Sequence, residues 1–420
     1  MSWPDHAIWW HVYPLGFLGN GKRKLPALEG WLDHLLTLGC NGLMLGPVFA
    51  SESHGYDTTD HFRVDPRLGT EDDLVALIDK AQSLGVRVML DGVFNHVGRS
   101  FSPFADVLSN GAASPYADWF VREGDDFRVF EGHRNLVALN HASPAVADHV
   151  AGVMEYWSER GVSAWRLDAA YAVPVPFWRT VTDRVRAKNP GVWFSGEIIH
   201  GDYAAYVSEG GLDSVTQYEL WKAIWSSLND TNPHELAWAL TRHNEMLAGF
   251  VPQTFVGNHD VTRIASRLTE PRHLPHALAV LFTVGGVPSI YAGDERGWHG
   301  VKEERAGGDD AIRPEFPPTP ADLDDYGVEI QNLHQQLIGI RRRNPWLVRA
   351  TTEVHTLGDG VLAYTLGAEA GRLAVALNFG DRGAVAKLPP AGWKHEAGDV
   401  TIDPAGVADL PPFSWSIGTS

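Results

Sequence analysis

Four short runs decide the reading of this chain: VRVMLDGVFNH (86–96), VSAWRLDAAY (162–171), VWFSGEIIH (192–200) and QTFVGNHD (253–260). Each is an apolar stretch of strand length that breaks off into polar and charged residues. IWWHVYPL (8–15), NGLMLGPV (41–48), SVTQY (214–218) and GVPSIYAG (286–293) repeat the apolar part, so eight buried parallel strands are predicted. Helical patterns lie between most of them, over 28–39, 70–85, 143–161, 175–191, 232–247 and 272–285. Thr70, Ser143 and Asn232 stand where N-caps belong, and Gly39, Gly85 and Gly161 where helices stop. Strands alternating with helices define the α/β class, and eight of them predict a (β/α)8 TIM barrel. An open doubly wound sheet is the competing pattern, but no glycine-rich phosphate loop follows the first strand.

Two segments do not fit the alternation. From Gly98 to about Asn140 the chain is too long for a βα loop and reads as a small inserted domain over the barrel mouth. After about Arg343, the runs TEVHTLGDGVLAYTLG (352–367), RLAVALNFG (372–380) and AVAKLPP (384–390) read as short strands with Gly and Asp turns. The expected organisation is a barrel over 1–97 and 142–348, an insertion over 98–141, and a C-terminal antiparallel β-sandwich over 349–420.

Composition narrows the function. A formal charge of −18 would repel a polyanion, so no nucleic-acid partner is expected. Apolar runs of about eighteen residues are missing, so no membrane span is expected. The opening MSWPDHAIWWHVYP lacks a basic start followed by a long apolar run, which predicts a cytoplasmic protein without a signal peptide. Cys40 is the one cysteine, set in apolar TLGCNGLML (37–45), and reads as a buried inert thiol. The 16 tryptophans are a high count, and aromatic faces suit the apolar faces of sugar rings as well as ordinary core contacts.

Catalytic groups of a (β/α)8 enzyme sit at the C-terminal ends of strands. Here strands three, four, five and seven end in DGVFNH, WRLDAAY, GEIIH and VGNHD. A single acidic residue at such a point is as readily a helix cap or half of a barrel ion pair, but four polar ends in register converge on one mouth. Arg166 and Asp168 are two apart on a strand, so both face the same way, and the guanidinium keeps Asp168 ionised. Glu197 ends the next strand and suits a general acid whose pKa is raised by apolar walls and by Asp168. Retaining glycoside cleavage needs such a pair about 5 Å apart. Asp260 can hold sugar hydroxyls as the ring flattens, His96 and His259 can donate to others, and Tyr56 in GYD (55–57) is placed to stack on the ring.

By these residues the chain resembles the α-amylase family of glycoside hydrolases. DGVFNH, AWRLDAAY, GEIIH and VGNHD match its four signature regions in order, ALNH (138–141) looks like a fifth, and GVPSIYAGDE (286–295) resembles its eighth-strand segment. The likeness spans about residues 8 to 345. It implies Asp168 as nucleophile, Glu197 as acid/base and Asp260 as transition-state stabiliser, with Arg166, His96, His259 and Tyr56 completing the first sugar subsite. Calcium-dependent members carry a histidine roughly where Ala172 falls; Asn95 is present without evident partners, so neither a structural metal nor a cofactor is expected. GEIIH, with His200 as a further substrate contact, is most similar to the cyclomaltodextrinase and neopullulanase branch. Many of that branch carry an N-terminal module that helps form a dimer; it is not seen here, so a homodimer would use another surface.

The expected activity is hydrolysis of α-1,4-glucosidic bonds in short linear or cyclic gluco-oligosaccharides: malto-oligosaccharides, cyclomaltodextrins or a cyclic tetrasaccharide. A transglycosylase would use the same three carboxylates and differ in how well a sugar outcompetes water. A non-catalytic carbohydrate-binding member would have lost carboxylates that this chain keeps. The insertion and the charged, Gly- and Pro-rich loop 298–318 are both expected to rise beside the mouth and shape a pocket.

Overall fold

A computed structural model describes residues 2–17, 24–305 and 307–420. Eight short strands form its centre: β1 (Trp9–Val12), β2 (Gly42–Leu45), β3 (Arg87–Gly92), β4 (Ala164–Leu167), β5 (Trp193–Gly196), β6 (Ser214–Val215), β7 (Gln253–Phe255) and β8 (Val287–Tyr291). They pair in parallel in the order β6-β5-β4-β3-β2-β1-β8-β7. A bridge between Thr216 and Gln253 joins the two ends and closes the barrel. The strands are shorter than the apolar runs that encode them. SVTQY yields two strand residues because Thr216 moves to that bridge and the Gln217 side chain accepts from Leu220 N–H, starting the next helix.

Period-two alternation sorts the barrel interior into layers. Trp9, Met44, Met89, Ala164, Trp193 and Val287 form an apolar plug at the bottom. Trp9 stacks on Trp193 at 6.1 Å and 21°, with Trp3 edge-on to both. Gly42 makes room for the plug: a Cβ there would meet the Trp9 ring at 2.4 Å. Two residues further along the strands the inward positions turn polar, as His11, Asp91, Arg166 and Ser195, all buried. The same alternation that packs the plug therefore aims the polar layer at the mouth.

The helical ring differs from the sequence reading in detail. The first expected helix divides into Lys24–Glu29 and Leu32–Leu38, the latter stopped by Gly39 at φ 95°. Thr70 caps Glu71–Ser83 by accepting from Asp73 N–H. Ser143 makes no capping bond; its hydroxyl donates to Asp118 at 2.8 Å instead, tying the insertion to the helix Pro144–Ser158. Asn232 likewise precedes its helix without a side-chain cap. Among the described residues no helix is long and apolar enough to cross a membrane.

The insertion begins inside the run that follows the third strand. His96–Gly98 is already a strand, paired antiparallel with His133–Ala138, which pairs in turn with Val129–Phe130. The helix Ser102–Asn110 packs its Phe104 against Phe120 and Phe127 beneath this sheet. The C-terminal unit has a five-stranded antiparallel sheet, ordered Thr352–Gly358, Val361–Ala368, Gly371–Asn378, Trp415–Thr419 and Lys394–Gly398. A separate pair, Ala384–Lys387 with Val407–Leu410, faces it across a small core that includes Trp393.

Buried histidines hold these parts together through backbone carbonyls. The Nε2 of His61 lies 2.9 Å from Val93 O, that of His243 2.8 Å from Gly285 O, and that of His276 3.1 Å from Asn378 O in the C-terminal sheet. Burial pushes all three down to about 4. Unfolded, each titrates near about 6.5, so the unfolded chain binds more protons between those values. Their stabilisation is complete above about pH 6.5 and is lost as pH falls toward 4. Thermal melts at pH 7, 5.5 and 4.5 should show Tm dropping progressively, and more shallowly in His276→Gln; a Tm independent of pH over this range would contradict the assignment.

Candidate active site

Arg166 organises the mouth. It leaves β4 fully buried, and its Nη1 donates to both Asp91 oxygens at 2.8 and 2.7 Å and to Asp168 Oδ1 at 2.9 Å. Its Nη2 lies 2.7 Å from Glu197 Oε1 and 4.0 Å from Asp260 Oδ2. The strand register makes this possible. Arg166 pairs with Asp91 on β3 and with Ser195 on β5, while Asp168 and Glu197 each follow a strand end directly. Burying carboxylates is costly unless they are paired, and one guanidinium here serves the ends of four strands.

Glu197 is walled by polar groups rather than the apolar ones expected. Besides Arg166, its Oε2 accepts from Ala169 N–H at 3.0 Å and its Oε1 from the Tyr218 hydroxyl at 3.2 Å. Asn258 in turn donates to Tyr218 at 2.9 Å. Burial drives the Asp168 carboxyl well above the ordinary carboxylate range; Arg166 opposes this, and Glu197, Asp91 and Asp260 add to it. Burial raises Asp91 as well. The guanidinium therefore opposes, without cancelling, the upward push that burial and neighbouring carboxylates give Asp91 and Asp168.

Asp260 is set apart. Burial acts to raise it, but His259 at 2.8 Å, Arg313 at 3.0 Å and Arg166 outweigh that and hold its carboxyl well below the usual range. Arg313 also donates from Nε to His259 O at 3.0 Å and lies 4.4 Å over the Tyr13 ring. Behind these, the rings of Tyr13, His259 and Tyr56 form a parallel stack, with spacings of 5.9 and 5.6 Å. The Tyr56 hydroxyl donates to Asp91 at 3.0 Å and contacts His259 Nε2.

These groups border a cavity of about 370 Å³. Tyr56, His96, Asp168, Glu197 and Asp260 line it; Arg166 and His259 stand behind, touching the carboxylates rather than the open space. His96 stacks on Phe130 of the insertion at 4.7 Å and keeps Nε2 unpartnered, 4.0 Å from Asp168. Burial lowers it to about 3, so it is a neutral donor aimed at the cavity rim. His200 is exposed and packs edge-on to Tyr171 at 5.2 Å, outside the cavity lining. His141, in the fifth run, staples the insertion to Phe94 O at 3.0 Å. Asn95 spends its amide on His96 Nδ1 at 3.1 Å.

Four contributors escaped the sequence reading. Asp91 and Tyr218 carried a usable signal, a polar residue closing an apolar run, exactly as Asp168 does. Phe130 ends a two-residue strand and Arg313 sits in a loop, both without periodicity, and nothing local marks them. The loop bearing Arg313 is anchored by Phe316, stacked on Phe17 at 4.4 Å and tilted against Trp298 at 4.5 Å. It carries Lys302 to the cavity wall, opposite Phe130, Glu131 and His133 of the insertion. Ala306 of this loop lies outside the described residues.

A parallel barrel with a buried arginine and carboxylates at successive strand ends, under an insertion after β3, defines a (β/α)8 protein whose charged site lies at the C-terminal face of its strands. The chain belongs to the α-amylase family: "Alpha amylase, catalytic domain" matches residues 12–131 and 123–326. A cyclomaltodextrinase of a Bacillus species is 32% identical over 342 residues, covering 71% of this chain and 60% of that protein. The intracellular maltogenic amylase of Bacillus subtilis strain 168 is 30% identical over 343 residues, covering 72% and 57%. The chain thus spans about six tenths of the length of these relatives. Among solved structures, a debranching enzyme of Nostoc punctiforme soaked with acarbose superposes with a TM-score of 0.86 at 27% identity, covering 100% of this chain and 99% of that one.

Removing the central cation leaves buried carboxylates uncompensated, a loss of about 3–5 kcal/mol. Arg166→Met should therefore lower stability by that order in denaturant titrations at pH 8. The deficit should shrink when the titration is repeated at pH 5.5, because Asp91 and Asp168, already pushed upward by burial, are protonated more readily than ordinary carboxylates; an equal deficit at both pH values would refute the cluster's electrostatic account.

Proposed function

We propose that this protein is a retaining glycoside hydrolase that cleaves α-1,4-glucosidic bonds in short linear or cyclic gluco-oligosaccharides. The observation that carries it is that Asp168 and Glu197 face one cavity while sharing a single guanidinium. Carboxyls held by one fork are close neighbours, which suits the spacing of about 5 Å used in retention rather than the wider inverting gap. Asp168 attacks the anomeric carbon as Glu197 protonates the leaving oxygen; Glu197 then takes a proton from the water that releases the glycosyl group.

Asp260, kept ionised by His259 and Arg313, binds the hydroxyls beside the reacting carbon and strengthens that hold as positive charge grows on the ring. Neutral His96 donates from Nε2 to a hydroxyl on the insertion side. Tyr56 offers ring surface to the sugar while the His259 stack fixes its plane. Arg166 and His259 act as positioning residues behind this surface, and His200 acts at most at the rim.

The names of the relatives support small or cyclic glucans as substrates, and one of them supports a location inside the cell. The two walls, from the insertion and from loop 298–318, favour chain ends and small rings because a cavity surrounds more of a small ligand than an open cleft does.

Asp168→Asn should reduce turnover of maltotetraose at least about a thousandfold while the melting temperature changes little. A loss below about a hundredfold would defeat the nucleophile assignment. Catalytic efficiency should be higher on maltotetraose and on a cyclic glucan than on soluble starch, with product analysis on branched and α-1,6-linked glucans checking the linkage. Starch preferred over both small substrates would overturn the substrate class.

A further inference from the structure

The cavity does not end at Glu197. Ile199 and Tyr218, which line it, also line an adjoining groove of about 440 Å³ that continues over Trp221 and Trp238. The groove lies on the acid's side of the site: Tyr218 donates to Glu197, and Ile199 follows that carboxylate by two residues. The carboxyl that protonates the leaving oxygen faces the part of the substrate that departs. A chain whose leaving end passes Glu197 is therefore directed over Ile199 and Tyr218 into this groove.

Its chemistry suits a neutral ligand with apolar faces. Trp238, at 62% exposure, is the most exposed large apolar side chain among the described residues, and Ile199 is 38% exposed. The Arg242 guanidinium sits 5.0 Å from the Trp238 ring centre and steadies the indole. The groove's charges are already spent on each other: Glu219 is paired with Arg242 at 2.8 Å, and Lys222 with Glu235. No uncompensated charge is left to select an ionic ligand. Trp221 lies one helical turn beyond Tyr218, about 4.5 Å along the axis and on the same face. It is held by Phe255, stacked at 6.4 Å, and by Trp225 at 5.9 Å. The surface is thus set before any ligand arrives.

We propose that this groove binds the glucosyl units on the leaving-group side of the scissile bond, with Trp238 as the outer stacking platform. The inference rests on the α-glucan reading above and extends it to substrate length. Indole presents a flat apolar face to a pyranose ring without demanding a fixed hydroxyl pattern, so the groove tolerates linear and cyclic glucans alike.

The test compares kcat/KM for maltohexaose with that for 4-nitrophenyl α-glucoside, which has no leaving-side sugar, in wild type, Trp238→Ala and Trp238→Phe. The ratio should fall about five- to tenfold in Trp238→Ala and recover largely in Trp238→Phe; a ratio unchanged in Trp238→Ala overturns the proposal. Calorimetric titration of maltohexaose into the Asp168→Asn protein, with and without Trp238→Ala, separates this from the hydrolytic reading. Should wild type cleave neither compound, weaker binding in the double variant still supports a glucan groove, and equal binding overturns it. A change in oligomeric mass in Trp238→Ala with no change in ratio or binding would mean that a second copy covers the groove, which also overturns it.

Discussion

The structure depends on one arginine kept among acids. Arg166 is buried with Asp91, Asp168 and Glu197 in direct contact, and its charge is what lets strands β3, β4 and β5 end in carboxylates at the same level. Neutral histidines complete the arrangement. Burial lowers His11 well below its ordinary range, and His96 to about 3, so neither adds a second cation that would pin every carboxyl in its ionised form. Positive charge is supplied instead at the edge, where Arg313 meets Asp260. The acids are thereby divided: burial pushes Asp91 and Asp168 upward at the centre, while His259 and Arg313 hold Asp260 down at the edge.

How much of this the sequence disclosed follows from how local each feature is. Strand alternation is local, so the barrel and the strand-end residues Asp168, Glu197 and Asp260 could be read directly. Asp91 carries the same mark, a carboxylate closing an apolar run, although its partner Arg166 lies 75 residues away. The apolar surroundings expected for Glu197 depended on residues brought in by folding: Tyr218 comes from the next strand end and Ala169 N–H from the turn after β4. Caps behaved the same way. Thr70 has its partner within one turn, while the Ser143 hydroxyl is claimed by Asp118, 25 residues away, which no cap pattern can foresee.

The two loops at the mouth show the converse. Their function was legible only as a tendency to stand beside the barrel, yet their side chains are specific. Phe130 covers His96 from one side, and Arg313 reaches Asp260 from the other. Each loop is secured by aromatic packing of its own, Phe104 with Phe120 and Phe127 in the insertion, and Phe316 with Phe17 in the later loop. These aromatics run on into the hydrophobic core between strands and helices, Phe17 meeting Trp10 of β1 edge-on at 5.8 Å, so the walls of the cavity are seated on the barrel itself.

The barrel's closure is uneven. Most neighbouring strands share three or four register pairs, whereas β6 and β7 meet at Thr216 and Gln253, reinforced by Ser214 donating to Val251 O at 2.8 Å and by Gln217 N–H donating to Gln253 O at 2.9 Å. Amides along this seam are guarded by fewer ladder bonds than those elsewhere in the ring, so hydrogen exchange through local opening begins there. Tyr218 stands immediately beyond the seam and touches Glu197. The thinnest seam of the cylinder thus runs beside Glu197 rather than on the far wall.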